Sequence, residues 1–355
     1  IFHCASVSKL FTSSAIMKLV EAGILNLYDR LCDLLPEMKF AGMVSADSVS
    51  GNKCCIDAGA KSAGDEITGN PFIGDRRFND IRLWNLLTHT SGLGDCPDYE
   101  WYNARSDENS LRDYVYCSRD AVGQPMLWAP QTAPEFYSPV TDDDGNPANF
   151  FRYSNVAFEI LGHIVAEYSD RLHGEKLSYE DFVRIYLLEP AGMSSSTMKT
   201  FERCDFNDPV ARASANMAAP FEKASGRLGA SANSIASDRP DNPGSSTASG
   251  GSIVSGRSIV PVEYYPYNRM HAPSSTLTSN VSDLLKWGRA HIAGASRCGS
   301  ASDAGSDSGS LFSDACRNSG TVSGCGGMLL HRETYDTIWR DYATVPIIGE
   351  KMGLG

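Results

Sequence analysis

The feature that most constrains this chain is a serine and a lysine, spaced as S-x-x-K, at the head of an apolar helix pattern in Ile1–Leu25. Ser6 and Lys9 are the two fixed positions of the motif. Apolar residues follow at spacings of three and four, as in a helix with one buried face: Val7, Leu10, Phe11, Ile16, Leu19 and Val20. Gly23 supplies a C-terminal stop, so the sequence predicts a helix that begins near the serine.

Two chemical consequences follow if Ser6 lies in the first turn of this helix. Residues three apart share a face, so the Lys9 side chain can reach the Ser6 hydroxyl. The helix N-terminus also offers unpaired N–H groups and a partial positive charge for a developing oxyanion. Serine becomes a good nucleophile only when a base takes its proton, and Lys9 can be that base if burial or a nearby cation lowers its pKa. The alternative is a capping serine followed by a solvated lysine.

Length and charge exclude several classes of protein. The 355 residues suffice for one large domain or two ordinary ones with a sizeable core. A formal net charge of −12 argues against a nucleic-acid partner. No apolar run is long enough to span a bilayer, so we expect no membrane span. The chain begins with Ile and shows no readable signal peptide, so its localisation stays open. The sequence does not decide the oligomeric state either.

The cysteines do not have the spacing of a metal site. Ten are present, an even count that would suit disulfides, but a chain of this size does not require them. We find no C-x-x-C pair and no H-E-x-x-H sequence, and we therefore expect neither a metal nor a cofactor. Cys4 lies two residues before Ser6, yet nothing beside it resembles a base partner, so we interpret it as a small buried residue.

Further helix patterns lie between stretches of low complexity. Apolar periodicity predicts helices near residues 79–87, 107–121, 156–168, 182–188, 281–292 and 328–342. His89 closes the first of these, and we interpret it as a structural residue that caps the helix or binds a carbonyl. Residues 224–262 and 296–327 are dominated by small and polar residues and read as insertions.

Several landmarks fall in one order along the chain. The S-x-x-K motif is followed by L-L-T-H-T-S-G-L at Leu86–Leu93, by Tyr153-Ser154-Asn155 at the start of a helix, and by Ala272–Ser275 ahead of Asp283-Leu284. This order resembles the serine β-lactamase and penicillin-binding-protein family. The Tyr-Ser-Asn element points to the branch of class C β-lactamases, D-alanyl carboxypeptidases and related esterases.

The resemblance implies an α+β fold of the β-lactamase/transpeptidase type, with a helical domain beside an α/β sandwich. It implies a serine hydrolase that forms an acyl-enzyme with an ester, amide or β-lactam. The substrate would be a small molecule or a peptide that carries the acyl group. Ser6 would be the acylated nucleophile and Lys9 would accept its proton, while Tyr153 would shuttle a proton to the leaving group and Asn155 would bind the acyl amide carbonyl. A phenol flanked by ammonium groups should have a lowered pKa, so either Lys9 or Tyr153 remains open as the base.

The chain departs from the family at its third motif, Lys-Thr-Gly or His-x-Gly. Lys199-Thr200 is followed by Phe201, and neither His173 nor His331 begins the required triplet. Met352–Gly355 resembles the approach to the family's C-terminal strands. We therefore expect a chain truncated at both ends, with an incomplete antiparallel sheet and without one oxyanion donor. Loss of such a donor costs about 10²–10³ in rate, so weak or no activity is expected.

The expected organisation has three parts: residues 1–40 carry the nucleophile helix of the incomplete sandwich domain, residues 41–295 form a mainly helical domain, and residues 296–355 return toward the sandwich. The rival hypothesis is a catalytically inactive relative that keeps the fold for binding or assembly. The absence of the third motif favours that reading.

Overall fold

The structure is a computed structural model that describes residues 1–38, 76–95, 111–122, 126–134, 150–199, 216–218, 221–223, 259–261, 269–296, 329–344 and 351–354. The predicted insertions at 224–262 and 296–327 lie almost entirely outside these ranges. Within the described part of the chain, none of the helices is both long and apolar enough to cross a membrane.

The described secondary structure is predominantly helical. The α-helices are α1 (Ser8–Glu21), α2 (Leu31–Leu34), α3 (Leu83–Leu87), α4 (Leu111–Cys117), α5 (Arg119–Val122), α6 (Asn155–His173), α7 (Tyr179–Val183), α8 (Ala272–Ser275), α9 (Val281–Ser296) and α10 (Arg332–Ile338). A 3-10 turn at Ala5–Val7 leads directly into α1, and a π-helical turn at Arg184–Leu188 extends α7. Each predicted helix pattern therefore contains a helix, although the bounds of α3 and α10 are shorter than the periodicity indicated.

Six short strands form three antiparallel pairs in the described residues. β1 (Phe2–His3) pairs with β4 (Thr278–Ser279), which brings the chain start beside the segment that precedes α9. β2 (Phe221–Lys223) pairs with β3 (Ile259–Pro261), and β5 (Ala343–Thr344) pairs with β6 (Lys351–Met352). The mixture of helices with small antiparallel pairs agrees with the predicted α+β class.

Helix α1 lies at the centre of the fold, packed against both α6 and α8. Phe11, Ile16 and Leu19 are fully buried, as the periodicity predicted. Val7 and Leu10 are 37% and 44% exposed, so their assignment to the buried face was wrong. The reason is local, because the first turn of α1 buries Ser8 and Lys9 instead and thereby turns its apolar neighbours outward.

Helix α6 is the longest described helix and its ends are both capped. The Ser154 hydroxyl accepts a hydrogen bond from Ala157 N at 3.2 Å, which satisfies one of the free donors of the first turn. Gly174 ends the helix at φ 90°, in the left-handed region that glycine enters at little cost. These caps fix the point at which the chain enters α6, directly after Tyr153.

Candidate active site

Ser6 lies in the exposed 3-10 turn that precedes α1, and Lys9 lies in the first turn of the helix. The Lys9 Nζ atom is 3.2 Å from Ser6 Oγ, which is the contact that the S-x-x-K spacing predicted. Ala5, immediately before the serine, has φ 45°, a left-handed conformation that is uncommon for a residue with a Cβ. Backbone strain of this kind is a feature of functional sites.

Lys9 is a buried cation with three acceptors around it. Its exposed fraction is 5%, and its Nζ donates to Asn155 Oδ1 at 2.6 Å and to the Ser274 carbonyl at 3.2 Å, in addition to Ser6. Burial lowers the pKa of Lys9 to about 8, and the carboxylates of Glu159 and Asp95 partly oppose this shift. The pKa therefore lies close to neutral pH, as a lysine base requires.

Tyr153 approaches Ser6 from the segment before α6. Its hydroxyl donates to Ser6 Oγ at 2.8 Å, and its ring centroid is 4.8 Å from Lys9 Nζ. Burial raises the pKa of Tyr153, and its hydrogen bond to Ser6 opposes the shift. The expected lowering of this pKa was therefore wrong. The prediction considered only the ammonium beside the phenol. It did not include the loss of solvent around Tyr153 or the carboxylates of Asp95 and Glu159, and these also raise the pKa.

His89 holds the backbone on both sides of Tyr153. The His89 carbonyl accepts from Arg152 N at 2.7 Å, and its Nδ1 accepts from Ser154 N at 3.1 Å. Burial lowers the pKa of His89 to about 3, so the ring is neutral and Nδ1 is free to accept. The predicted structural role of His89 agrees with this geometry, although it binds backbone N–H groups and not the helix carbonyls that the sequence suggested.

Asn155 connects Lys9 to a carboxylate that sequence reasoning missed. Asp95 accepts from Asn155 N at 2.8 Å and from Asn155 Nδ2 at 3.1 Å. These contacts orient the amide, because the opposite orientation would place an NH₂ group against the Lys9 ammonium. Asp95 also puts a negative charge at the N-terminus of α6, where it complements the helix dipole.

The segment around α8 supplies a further acceptor that the sequence did not reveal. The Ser274 carbonyl binds Lys9, and the Ser274 hydroxyl donates to Glu159 Oε1 on α6. The sequence held one signal for Glu159, since a carboxylate stands on an otherwise apolar face of the helix pattern. Pro273 also contacts both helices, because its carbonyl accepts from Thr12 Oγ1 at 2.6 Å while its ring packs on Gly162.

The residues considered for a third motif are engaged elsewhere. Lys199 Nζ is 2.9 Å from Asp181, His173 Nδ1 is 3.1 Å from the Tyr186 hydroxyl, and His331 precedes α10. Thr200 and Phe201 lie outside the described residues. Among the residues that the structure describes, no group of three or more His, Cys, Asp or Glu side chains is arranged to hold a metal ion.

Comparison with known proteins identifies relatives of the chain. The family model described as "Beta-lactamase" matches residues 1–313. Penicillin-binding protein 4 of Amycolatopsis lactamdurans is 27% identical over 196 residues, which are 55% of this chain and 35% of the relative. The chain thus spans about a third of that protein's length.

Two solved structures share the fold. The octameric penicillin-binding protein homologue from Pyrococcus abyssi matches with a TM-score of 0.51 and 18% identity, over 99% of this chain and 52% of the homologue. The penicillin-binding protein from Bacillus halodurans matches with a TM-score of 0.50 and 16% identity, over 99% of this chain and 67% of that protein. At these identities the likeness concerns the fold, which is of the β-lactamase/transpeptidase type as the sequence predicted.

Proposed function

The chain belongs to the β-lactamase family, a family of serine hydrolases, and we propose that it forms an acyl-enzyme at Ser6 with an ester, amide or β-lactam substrate. The observation that carries the proposal is the convergence of two polar atoms on one hydroxyl. Lys9 Nζ and Tyr153 OH both lie within hydrogen-bond distance of Ser6 Oγ, although they come from points 144 residues apart, the difference between 153 and 9.

Lys9 is the better base of the two candidates. With a pKa of about 8, roughly a tenth of the Lys9 side chains carry a free amine at pH 7. A neutral amine has two N–H bonds and one lone pair. The two hydrogens suit the oxygens of Asn155 and Ser274, and the lone pair is then left for the proton of Ser6. The three contacts of Lys9 therefore fit the base form as well as the ammonium form.

Tyr153 suits the role of proton relay. Its raised pKa keeps the phenol protonated at neutral pH, so it donates to Ser6 Oγ and does not begin as a base. When Ser6 attacks the acyl carbon, its proton passes to Lys9. Tyr153 then delivers a proton to the leaving oxygen or nitrogen and recovers one from Lys9, so protons balance over the step. In deacylation, water attacks the acyl carbon while Lys9, again a free amine, accepts the proton of the water through Tyr153. Lys9 then returns a proton to Ser6 Oγ as the bond to the acyl carbon breaks, and the carboxylic acid leaves.

Asn155 is placed to bind the acyl group beside the nucleophile. Its Nδ2 carries two hydrogens, and Asp95 accepts one of them. We propose that the second hydrogen binds a carbonyl on the acyl part of the substrate. This arrangement favours acyl groups with an amide near the reacting carbonyl, a class that includes peptides and penicillins.

Hydrolysis of a substrate panel tests the proposal. The chain would be incubated with a p-nitrophenyl ester, a D-amino acid amide and benzylpenicillin, beside Ser6→Ala and the control Ser13→Ala. Ser13 is buried on α1 and its hydroxyl has no partner among the described residues, so its replacement should preserve activity. Because the expected lack of one oxyanion donor slows turnover, the primary readout is the acyl adduct: we expect at least one substrate to acylate the chain and Ser13→Ala, with slow turnover, and none to acylate Ser6→Ala. Equal rates in both variants, or no turnover and no acyl adduct, would favour a binding or assembly role.

A further inference from the structure

Glu159 is a buried carboxylate that belongs to neither the S-x-x-K nor the Tyr-Ser-Asn motif. It is fully buried on α6, where Oε1 accepts from the Ser274 hydroxyl and lies 3.2 Å from His271 Nδ1. Oε2 has no hydrogen-bond partner among the described residues. Burying a carboxylate with an unpaired oxygen costs free energy, so packing alone does not explain this residue.

Ser274 links Glu159 to the proposed base. Its hydroxyl donates to Glu159, while its backbone carbonyl accepts from Lys9 Nζ at 3.2 Å. The same side chain is 2.8 Å from the Ser275 hydroxyl. The orientation of the carbonyl that faces Lys9 is thus tied to the carboxylate through one residue.

Helix α1 holds the same segment from the other side. Thr12 Oγ1 donates to the Pro273 carbonyl at 2.6 Å, and Leu277 N donates to Ser8 Oγ at 2.9 Å. The short helix α8 is therefore fixed between α1 and α6. A change at Glu159 is transmitted to Lys9 through a segment that has little freedom to absorb it.

We propose that Glu159 is a positioning residue for Lys9: it holds the Ser274 carbonyl against Nζ and supplies a buried negative charge that sets the balance between the ammonium and the amine. This inference deepens the proposed function, since the rate effect rests on Lys9 as the base at Ser6. The charge effect on Lys9 itself is measurable whether or not Ser6 reacts.

Among the residues that the structure describes, four titratable groups on the surrounding elements face Glu159. They are Lys9 on α1, Tyr153 before α6, Tyr179 on α7 and His271 before α8. Asp95 is a second carboxylate that acts on Lys9, and the neutral ring of His89 also faces the Lys9 ammonium. Replacing Glu159 by a neutral residue removes one of the two carboxylates that raise the pKa of Lys9. Burial still lowers this pKa, and only Asp95 then opposes the lowering. We expect the Lys9 titration to move to lower pH by about one unit.

The test is an NMR titration of Lys9 in the whole chain with lysine labelled by ¹³C at Cε, and the signal is assigned by its loss in Lys9→Met. Glu159→Gln keeps an oxygen for Ser274 but removes the charge. The matched control is Glu180→Gln, another buried carboxylate, which pairs with Arg269 at 2.9 Å and not with the α8 segment. Lys9 should titrate about one pH unit lower in Glu159→Gln than in the parent chain. In Glu180→Gln it should titrate at the same pH as in the parent chain.

The rate of Ser6 labelling by a fluorophosphonate gives the second readout. If Lys9 is the base, the pH at which labelling reaches half its maximum should fall by the same interval in Glu159→Gln, an effect that a merely structural residue would not produce. If Glu159→Gln does not fold, Glu159→Met, which is apolar and similar in size, should give the same shift. A Lys9 titration that stays in place or moves to higher pH overturns the inference. A shifted titration without labelling of Ser6 upholds it and counts against the proposed function alone.

Discussion

The imidazole ring of His89 packs against the phenol ring of Tyr153, with 4.5 Å between the two centroids. His89 also accepts the backbone N–H groups of Arg152 and Ser154, so the residue fixes both the ring and the chain that carries it. Tyr153 is 39% exposed, and packing from the protein covers only part of its surface. The position of the phenol over Ser6 therefore depends on a neutral, buried histidine.

Acid should destabilise the protein through His89. Its pKa is about 3 in the folded chain and 6.5 in the unfolded chain, so between these values only the unfolded state binds the proton. Stability is then complete above pH 6.5 and is lost as the pH falls toward 3, by about 1.4 kcal/mol per pH unit for this residue. Urea unfolding at pH 7, 6 and 5 measures the slope.

Two variants separate His89 from the other titrating groups. His89→Asn tolerates the φ of 58° at this position and removes the ionisable ring, so the dependence on pH should be shallower than in the parent chain. His173→Asn replaces an exposed histidine and should leave the slope as it is. If His89→Asn and the parent lose stability in parallel on acidification, the assignment to His89 fails.

Gly162 sets the distance between α6 and the segment that carries Ser274. A Cβ at this position would lie 2.0 Å from Pro273 Cγ, so Gly162→Ala must push the two elements apart. Overpacking of this kind costs about 1–3 kcal/mol of unfolding free energy, and labelling of Ser6 should also slow as the Ser274 carbonyl moves. Gly288→Ala is the control, because its Cβ meets nothing within 4 Å and should stabilise α9 by about 0.5–1 kcal/mol. Equal stability of the two variants would contradict this description of the packing.

Asp95 should contribute to activity through Asn155. Asp95→Ala removes the acceptor of both Asn155 N and Nδ2, and the amide then loses the contacts that orient it toward Lys9. Hydrogen bonds to a charged group contribute about 1.5–3 kcal/mol, so the rate of Ser6 labelling should fall by about 10–100-fold. Asp341→Asn, at an exposed aspartate, should label at the parent rate. Unchanged labelling of Asp95→Ala would remove Asp95 from the site.

The pH dependence of labelling should follow Lys9. Because burial lowers its pKa to about 8, the rate constant for Ser6 should rise about tenfold per unit below pH 8 and level off above it. Lys9→Arg keeps a cation that does not deprotonate, so its labelling should be slow at every pH. A rate for the parent chain that is flat from pH 6 to 9 would exclude Lys9 as the base.

The local part of the site could be predicted from the sequence, whereas the distant part required the fold. Helical spacing alone places Lys9 beside Ser6, because residues three apart share a face. The approach of Tyr153 has no such local cause, and its expectation came from the order of motifs. Asp95 escaped notice because it follows the Ser91-Gly92 helix stop in a stretch without periodicity.

The errors in prediction share a physical cause, which is burial. The sequence shows that a phenol and an ammonium belong to one site, but the direction of the Tyr153 pKa depends on how much solvent the fold removes. Likewise, Val7 and Leu10 fit an apolar face, yet the buried side of the first turn of α1 is occupied by Ser8 and Lys9. Tertiary contacts of polar residues outweighed the apolar pattern at this turn.

The most direct test of the account is peptide mapping of the chain after reaction with a fluorophosphonate, with the rate followed by intact mass. We predict one adduct, on the peptide that contains Ser6, formed about 10²–10³-fold more slowly by Lys9→Met. An adduct on another residue, or equal rates for the chain and Lys9→Met, would contradict the claim that Lys9 activates Ser6.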